Sequence, residues 1–190
     1  MPPKVKYEKS QIIDAAVQLV RESGLENLTA RRLASKLGCS VCPIFTVFKS
    51  MEEVADGTMA AIRHIYNGYV AEGLKSKPAF KGVGQQYIAF AAREPKLFET
   101  LFMRKQADIP SDKILVSIED NYNVILQSIE DEYGLDEAKS KQLYLHMWIY
   151  THGIAALCVS GMCSFRAEEM GDMLTQCFKG MIKEIAGEEK

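Results

Sequence analysis

The chain has 190 residues, 47% of them hydrophobic and 25% charged, which is enough apolar content for one large domain or for a small head and a larger body. A formal net charge of −2 excludes a uniformly basic nucleic-acid coat, and five cysteines, an odd number, fit reduced thiols in a cytoplasm better than a disulfide framework. The opening MPPKVKYEKS has no signal-peptide core, and the apolar stretch 143–159 is interrupted by His146, Thr151, His152 and Gly153, so neither export nor a membrane span is expected.

Proline is scarce, glycines fall at apparent helix ends, and alternating β-branched runs are lacking, so the fold class is all-α. Ile12, Ile13, Ala16, Leu19 and Val20 form an apolar stripe that predicts a first helix over 8–23, ended by Gly24. Thr29 is placed to cap a second helix whose buried face is Ala30, Leu33, Ala34 and Leu37, and Gly38 closes it in the left-handed conformation. Ser40 is read as the start and cap of a third helix, acting through the N–H of Cys42, with Pro43 three residues in, where its missing donor costs nothing. Two short helices joined by a tight glycine turn, over about 29–48, make a helix-turn-helix, with the first helix as brace. The charge distribution agrees. Residues 1–50 hold eight Lys/Arg against four acids, a balance of +4, whereas the remainder holds 15 against 21, a balance of −6.

Ser50 with Glu53 three residues later offers a capping box for a fourth helix reaching about Leu74. KSKPAFKG (75–82) reads as a loop, 83–93 as a helix, and Pro95 as the start of the next. Ser111 or Asp112 is expected to cap one long helix to about Tyr133, ended by Gly134. Asp136 to about Ser160 and Arg166 to about Ala186 form the last two, for about nine helices in all.

IIDAAVQLVRESG, LTARRLASKLG, CSVCPIFTVF and KSMEEV together resemble the tetracycline-repressor (TetR/AcrR) family of bacterial transcription regulators. The resemblance covers the first third of the chain. EPKLFETLF followed by Trp148, His152 and Gly153 is similar to a C-terminal domain of the Trp-His-Gly type found in one branch of that family. The resemblance implies a DNA-binding domain over 5–50 and a ligand-binding and dimerisation domain over 51–190. It also implies a homodimer whose two heads read a near-palindromic operator, with a small-molecule effector in each body.

Carried onto matching positions, the family's DNA contacts fall on Thr29, Arg31 and Arg32 of the second helix, on Ser40, Val41, Cys42, Pro43, Phe45 and Thr46 around the third, and on Lys49. Val41, Cys42 and Pro43 lack good hydrogen-bond donors, so base reading there would rest on apolar contact, with thymine methyls for example, and on shape. Phe45, Val47 and Met51 depart from the customary Tyr, His or Tyr, and Lys, each removing a donor; Thr46, Lys49 and the arm Lys4, Lys6 and Lys9 could compensate at phosphates. Cys39 and Cys42 have Cys-x-x-Cys spacing, but with no second pair and no nearby His no metal is assigned, and no cofactor is expected; a thiol-sensing role for the exposed Cys42 is the sharper alternative.

Tyr66, Phe90, Phe98, Phe102, Tyr122, Trp148 and His152 are the candidates to contact the effector, which a cavity lined by aromatics and Met would make apolar or aromatic. The plainer reading makes most of them core, and His152 a packing histidine. The last two helices carry apolar stripes wider than one body needs, and Leu157, Met173, Leu174, Cys177, Phe178 and Met181 are the expected dimer contacts; a single internal core is the alternative. No nucleophile, metal or phosphate-loop motif points to an enzyme. A ligand-responsive DNA-binding regulator, more in the manner of a repressor, is thus the leading reading. Its alternative is a helical small-molecule binding protein whose head has lost DNA function.

Overall fold

The computed structural model describes residues 7–104 and 109–187. Among them are ten α-helices and no strand: α1 (Lys9–Ser23), α2 (Ala30–Leu37), α3 (Cys42–Val47), α4 (Met51–Gly73), α5 (Ala79–Arg93), α6 (Pro95–Phe102), α7 (Ile114–Ile118), α8 (Tyr122–Tyr133), α9 (Glu137–Val159) and α10 (Ala167–Ala186). They fall into two compact units, one within Met1–Tyr66 and Glu94–Lys105, the other within Asn67–Arg93 and Gln106–Lys190.

In the first unit α1 packs on α2 and on α6. Its core brings Ile12 and Ala16 of α1, Leu33 and Ala34 of α2, Ile44 of α3, Phe48 at the end of α3 and Val54 of α4 into one cluster, with Ile13, Leu37 and Val41 against its edge. Burying each of the larger side chains in this cluster contributes roughly 1.5–3 kcal/mol, which offsets the cost of ordering helices too short to persist alone. The predicted stops hold. Gly24 ends α1 and donates to the Val20 carbonyl at 2.8 Å, and Gly38 closes α2 at φ 68°, a left-handed conformation that residues with a Cβ rarely adopt.

α3 starts differently from the expectation. Its N-cap is Val41, with no side-chain hydrogen bond, and Ser40 lies outside the helix. The physical reason is Pro43. A cap at Ser40 would make Pro43 the third helical residue and leave the Cys42 N–H as its only donor, whereas a start at Cys42 puts proline second and lets Ile44 N–H reach the Val41 carbonyl at 3.1 Å. Ser50 does cap α4, its Oγ accepting the Glu53 N–H at 3.3 Å, but the Glu53 carboxylate reaches past Ser50 to the Lys49 N–H at 2.7 Å.

In the second unit α5 and α8 pack on each other and on α9, and α9 packs on α10. Two expectations fail here. The loop over 75–82 is shorter than its composition suggests, because α5 begins at Ala79, whose N–H is capped by the Glu132 carboxylate at 2.6 Å, and Phe80 is buried. The single helix from Ser111 to Tyr133 is broken. A 3-10 turn (Ser111–Lys113) and α7 end at Glu119, whose buried carboxylate accepts from both the backbone N–H of Asn121 (3.1 Å) and its side-chain amide (3.3 Å). The Asn121 amide also donates to Asn67 (3.3 Å), and the Asn67 amide donates to Asp120 (2.9 Å). Local side-chain bonds have replaced helical ones.

Candidate DNA interface and body cluster

Thr29 Oγ1 accepts the Arg32 N–H at 3.4 Å and fixes the start of α2, so Arg31 and Arg32 leave its first turn into solvent. Leu33 and Ala34, two and three positions after Arg31, are buried, which holds α2 with its basic edge outward. On α3 only Ile44 is buried; Cys42, Phe45 and Thr46 are exposed, and Val41 and Pro43 are half-buried. Thus the ten residues predicted to face DNA all lie at or near the surface of one unit, Ser40 in the turn between α2 and α3, and Lys49 between α3 and α4.

Among the basic residues of this unit some are already engaged. Lys9 pairs with Glu53 at 3.5 Å and lies 5.1 Å above the Phe48 ring, and Lys36 pairs with Glu22 at 2.7 Å. Lys4 and Lys6 lie outside the described residues. Among the described residues, Arg31, Arg32 and Lys49 form no ion pair, although the Lys49 charge also acts on the Glu53 carboxylate, so the cationic groups remain open to an external anion. Glu53 is part of the same rim. The backbone N–H of Lys49 holds its carboxyl below the usual range, reinforced by Lys9, so it stays ionised and clamps the turn after α3.

Sequence reasoning missed two anchors. The Tyr7 hydroxyl donates to the Leu37 carbonyl at 2.6 Å, tying the segment before α1 to the end of α2; burial, then the adjacent Cys39 thiol, pushes its phenol pKa up. Arg21 donates from Nε and Nη2 to Glu94 at 2.7 and 3.0 Å, joining α1 to the start of α6. No local spacing signals a pair 73 residues apart. The five cysteines are free thiols, and among the described residues no cluster of three His, Cys, Asp or Glu is placed to hold a metal ion.

The seven effector candidates are divided between the units. Tyr66, Phe98 and Phe102 belong to the first, with ring centroids 5.1 Å (Tyr66 to Phe102) and 5.2 Å (Phe98 to Phe102) apart. Phe90, Tyr122, Trp148 and His152 belong to the second. There Trp148 stacks on His152 with centroids 5.0 Å apart, Tyr122 stacks on Tyr144 at 5.7 Å, and Phe90 meets Tyr69 edge-on at 5.2 Å. Tyr87, a residue the sequence did not single out, shares a 2.9 Å hydrogen bond with His152 Nδ1. Burial drives the Tyr87 phenol well above its ordinary pKa and holds the His152 imidazole below its own, so both remain neutral near pH 7. Of the expected dimer contacts, Leu157 is exposed, Met173, Cys177, Phe178 and Met181 are half-buried, and Leu174 is buried within its own chain.

A brace helix, a capped second helix with a free basic edge and a short outward third helix define a helix-turn-helix DNA-binding module. The comparisons agree with that reading. Residues 12–57 match the family described as bacterial regulatory proteins, tetR family, and residues 80–184 match the tetracyclin repressor-like C-terminal domain. The chain therefore belongs to the TetR family, and it is a ligand-responsive DNA-binding transcription regulator.

Two solved structures share the fold over nearly the whole length. A TetR-like transcriptional regulator from Rhodococcus sp. RHA1 superposes with a TM-score of 0.66 at 13% identity, covering 99% of this chain and 100% of that one. The fatty acid degradation regulator FadR from Bacillus halodurans superposes with a TM-score of 0.58 at 15% identity, covering 96% and 97%. No curated protein sequence matches the chain significantly. Among the described residues, no helix is long and apolar enough to cross a membrane.

Proposed function

We propose that this chain is a cytoplasmic repressor that binds a near-palindromic operator as a homodimer and leaves it when a small apolar or aromatic molecule occupies the body. In this reading residues 5–50 are the DNA-binding domain and 51–190 the ligand-binding and dimerisation domain, and the role is regulatory rather than catalytic. The observation that carries it is the rim of Arg31, Arg32 and Lys49, exposed and in no ion pair among the described residues, around the outward face of α3. Three such cations on each of two heads supply the sequence-independent part of the affinity, and the two recognition helices set a half-site spacing of roughly 34 Å or a multiple.

Support for the dimer comes from α9 and α10. Ile149 and Leu157 are exposed along α9, and among the described apolar side chains of α10 only Leu174 is buried. A second copy would cover this surface as a four-helix interface. Release would follow from a shift of α4, one continuous helix from Met51 to Gly73 that begins directly after the DNA-facing turn. The test is selection of bound fragments from random or genomic duplex DNA by the purified protein. Enrichment of a palindrome supports the reading; retention of no sequence above background would leave the alternative of a helical ligand-binding protein.

A further inference from the structure

The outward face of α3 has an unusual chemistry for a surface that reads bases. Its exposed side chains are Cys42, Phe45 and Thr46, flanked by half-buried Val41 and Pro43. Phe45 is 45% exposed, so its aromatic ring forms part of the outer surface of this helix. Thr46 carries the single hydroxyl on this helix, and that hydroxyl donates to the Pro43 carbonyl at 2.7 Å. It keeps lone pairs, but its proton is committed. The helix therefore presents no strong donor to a base edge and no bidentate group at all.

The major groove offers only one apolar group to such a surface, the C5-methyl of thymine; every other exocyclic feature there is a hydrogen-bond donor or acceptor. Desolvating those polar groups against Phe45 or Cys42 would leave them unpaired, at a cost that disfavours the other bases. Charge complementarity brings the helix to the groove through Arg31, Arg32 and Lys49, so the surface is both attracted to DNA and selective within it. We infer that Cys42 and Phe45 are specificity-determining residues that read thymine methyl groups, so that each operator half-site carries thymines where α3 lies in the major groove.

This inference rests on the DNA-binding reading above, and the experiment separates the two. Duplexes enriched by the full-length protein are remade with deoxyuridine in place of thymidine, which deletes the methyl and keeps every Watson–Crick group. Binding is measured for the parent and for Phe45→Ala and Cys42→Ser, with circular dichroism to verify folding; both side chains are exposed and lie outside the buried cluster. The expected result is a loss of about fourfold in affinity per contacted methyl for the parent, and a smaller thymine-to-uracil difference for each variant. Equal parent affinity for the two duplexes overturns the inference while leaving DNA binding intact. An equal methyl dependence in parent and both variants also overturns it, since the methyl would then act through DNA shape. Failure to enrich any duplex overturns the DNA-binding reading itself.

Discussion

Arg21 and Glu94, 73 residues apart, are joined by two hydrogen bonds of 2.7 and 3.0 Å, from Nε and Nη2 to the two carboxylate oxygens. The pair fixes α6 against α1, the helix on which α2 rests, so a segment well beyond the helix-turn-helix belongs to the same compact unit. With Glu94 only 15% exposed and Arg21 33%, the pair is shielded enough for its geometry to matter. Glu94→Ala would leave a half-buried guanidinium without its fork and should destabilise by about 2 kcal/mol. Urea denaturation of parent and variant checks this; midpoints that coincide would show the pair to be ornamental.

Gly73 and Gly82 mark where the end of α4 passes α5. A Cβ on Gly73 would lie 2.7 Å from Val83 N and Cα, and one on Gly82 would lie 2.3 Å from the Gly73 carbonyl oxygen. Backbone cannot yield as a side-chain tip does, so Gly73→Ala should cost about 2 kcal/mol or more, by overpacking rather than by any change in helix propensity. Gly68, with open space around its Cβ direction, is the control, and Gly68→Ala should be neutral or stabilising in the same melt.

The Tyr87 to His152 contact gives stability a pH dependence whose sign follows from burial. His152 has its folded pKa below the ordinary 6.5, so the unfolded chain binds the proton more readily. Stability from this group is complete above about pH 6.5 and is lost as pH falls through its lower folded value. Thermal melts should therefore show a midpoint that this group leaves level between pH 8 and 7 and lowers at pH 6 and 5.5, with a shallower decline for His152→Gln. A parent midpoint constant over this range would mean that the imidazole is not held neutral.

The apolar residues left open on α9 and α10 predict a dimer at micromolar concentration. Leu157, 37% exposed on α9, can be replaced without opening the chain's own core. Leu157→Arg should shift sedimentation toward monomer while leaving the helical content unchanged. A parent that sediments as monomer would remove the two-half-site geometry.

What could be read before the structure depended on how local the determinant was. Gly24, Gly38 and Gly134 stop helices through their own backbone freedom, and Thr29 and Asp136 cap through the backbone N–H three residues on, so these boundaries were legible. The α5 start was not, because its cap is Glu132, 53 residues on, nor was the break at Glu119, where side-chain amides outcompete helical bonds. At the surface proposed to face DNA the exposed residue types were legible from the pattern. The spent proton of Thr46 and the occupied charges of Lys9 and Lys36 were not, since each is settled by a partner in space.

The central claim, that the α2 and α3 face binds DNA, is tested most directly by the salt dependence of affinity for one enriched duplex, compared between the parent and Arg31→Ala. Arg31 is exposed, without a carboxylate partner among the described residues, and outside the buried core, so its removal should not unfold the head. The account predicts weaker binding for the variant, a log–log salt slope smaller by about 1 for each lost phosphate contact, and an unchanged circular dichroism spectrum. Identical affinity and identical slope for the two proteins would contradict it.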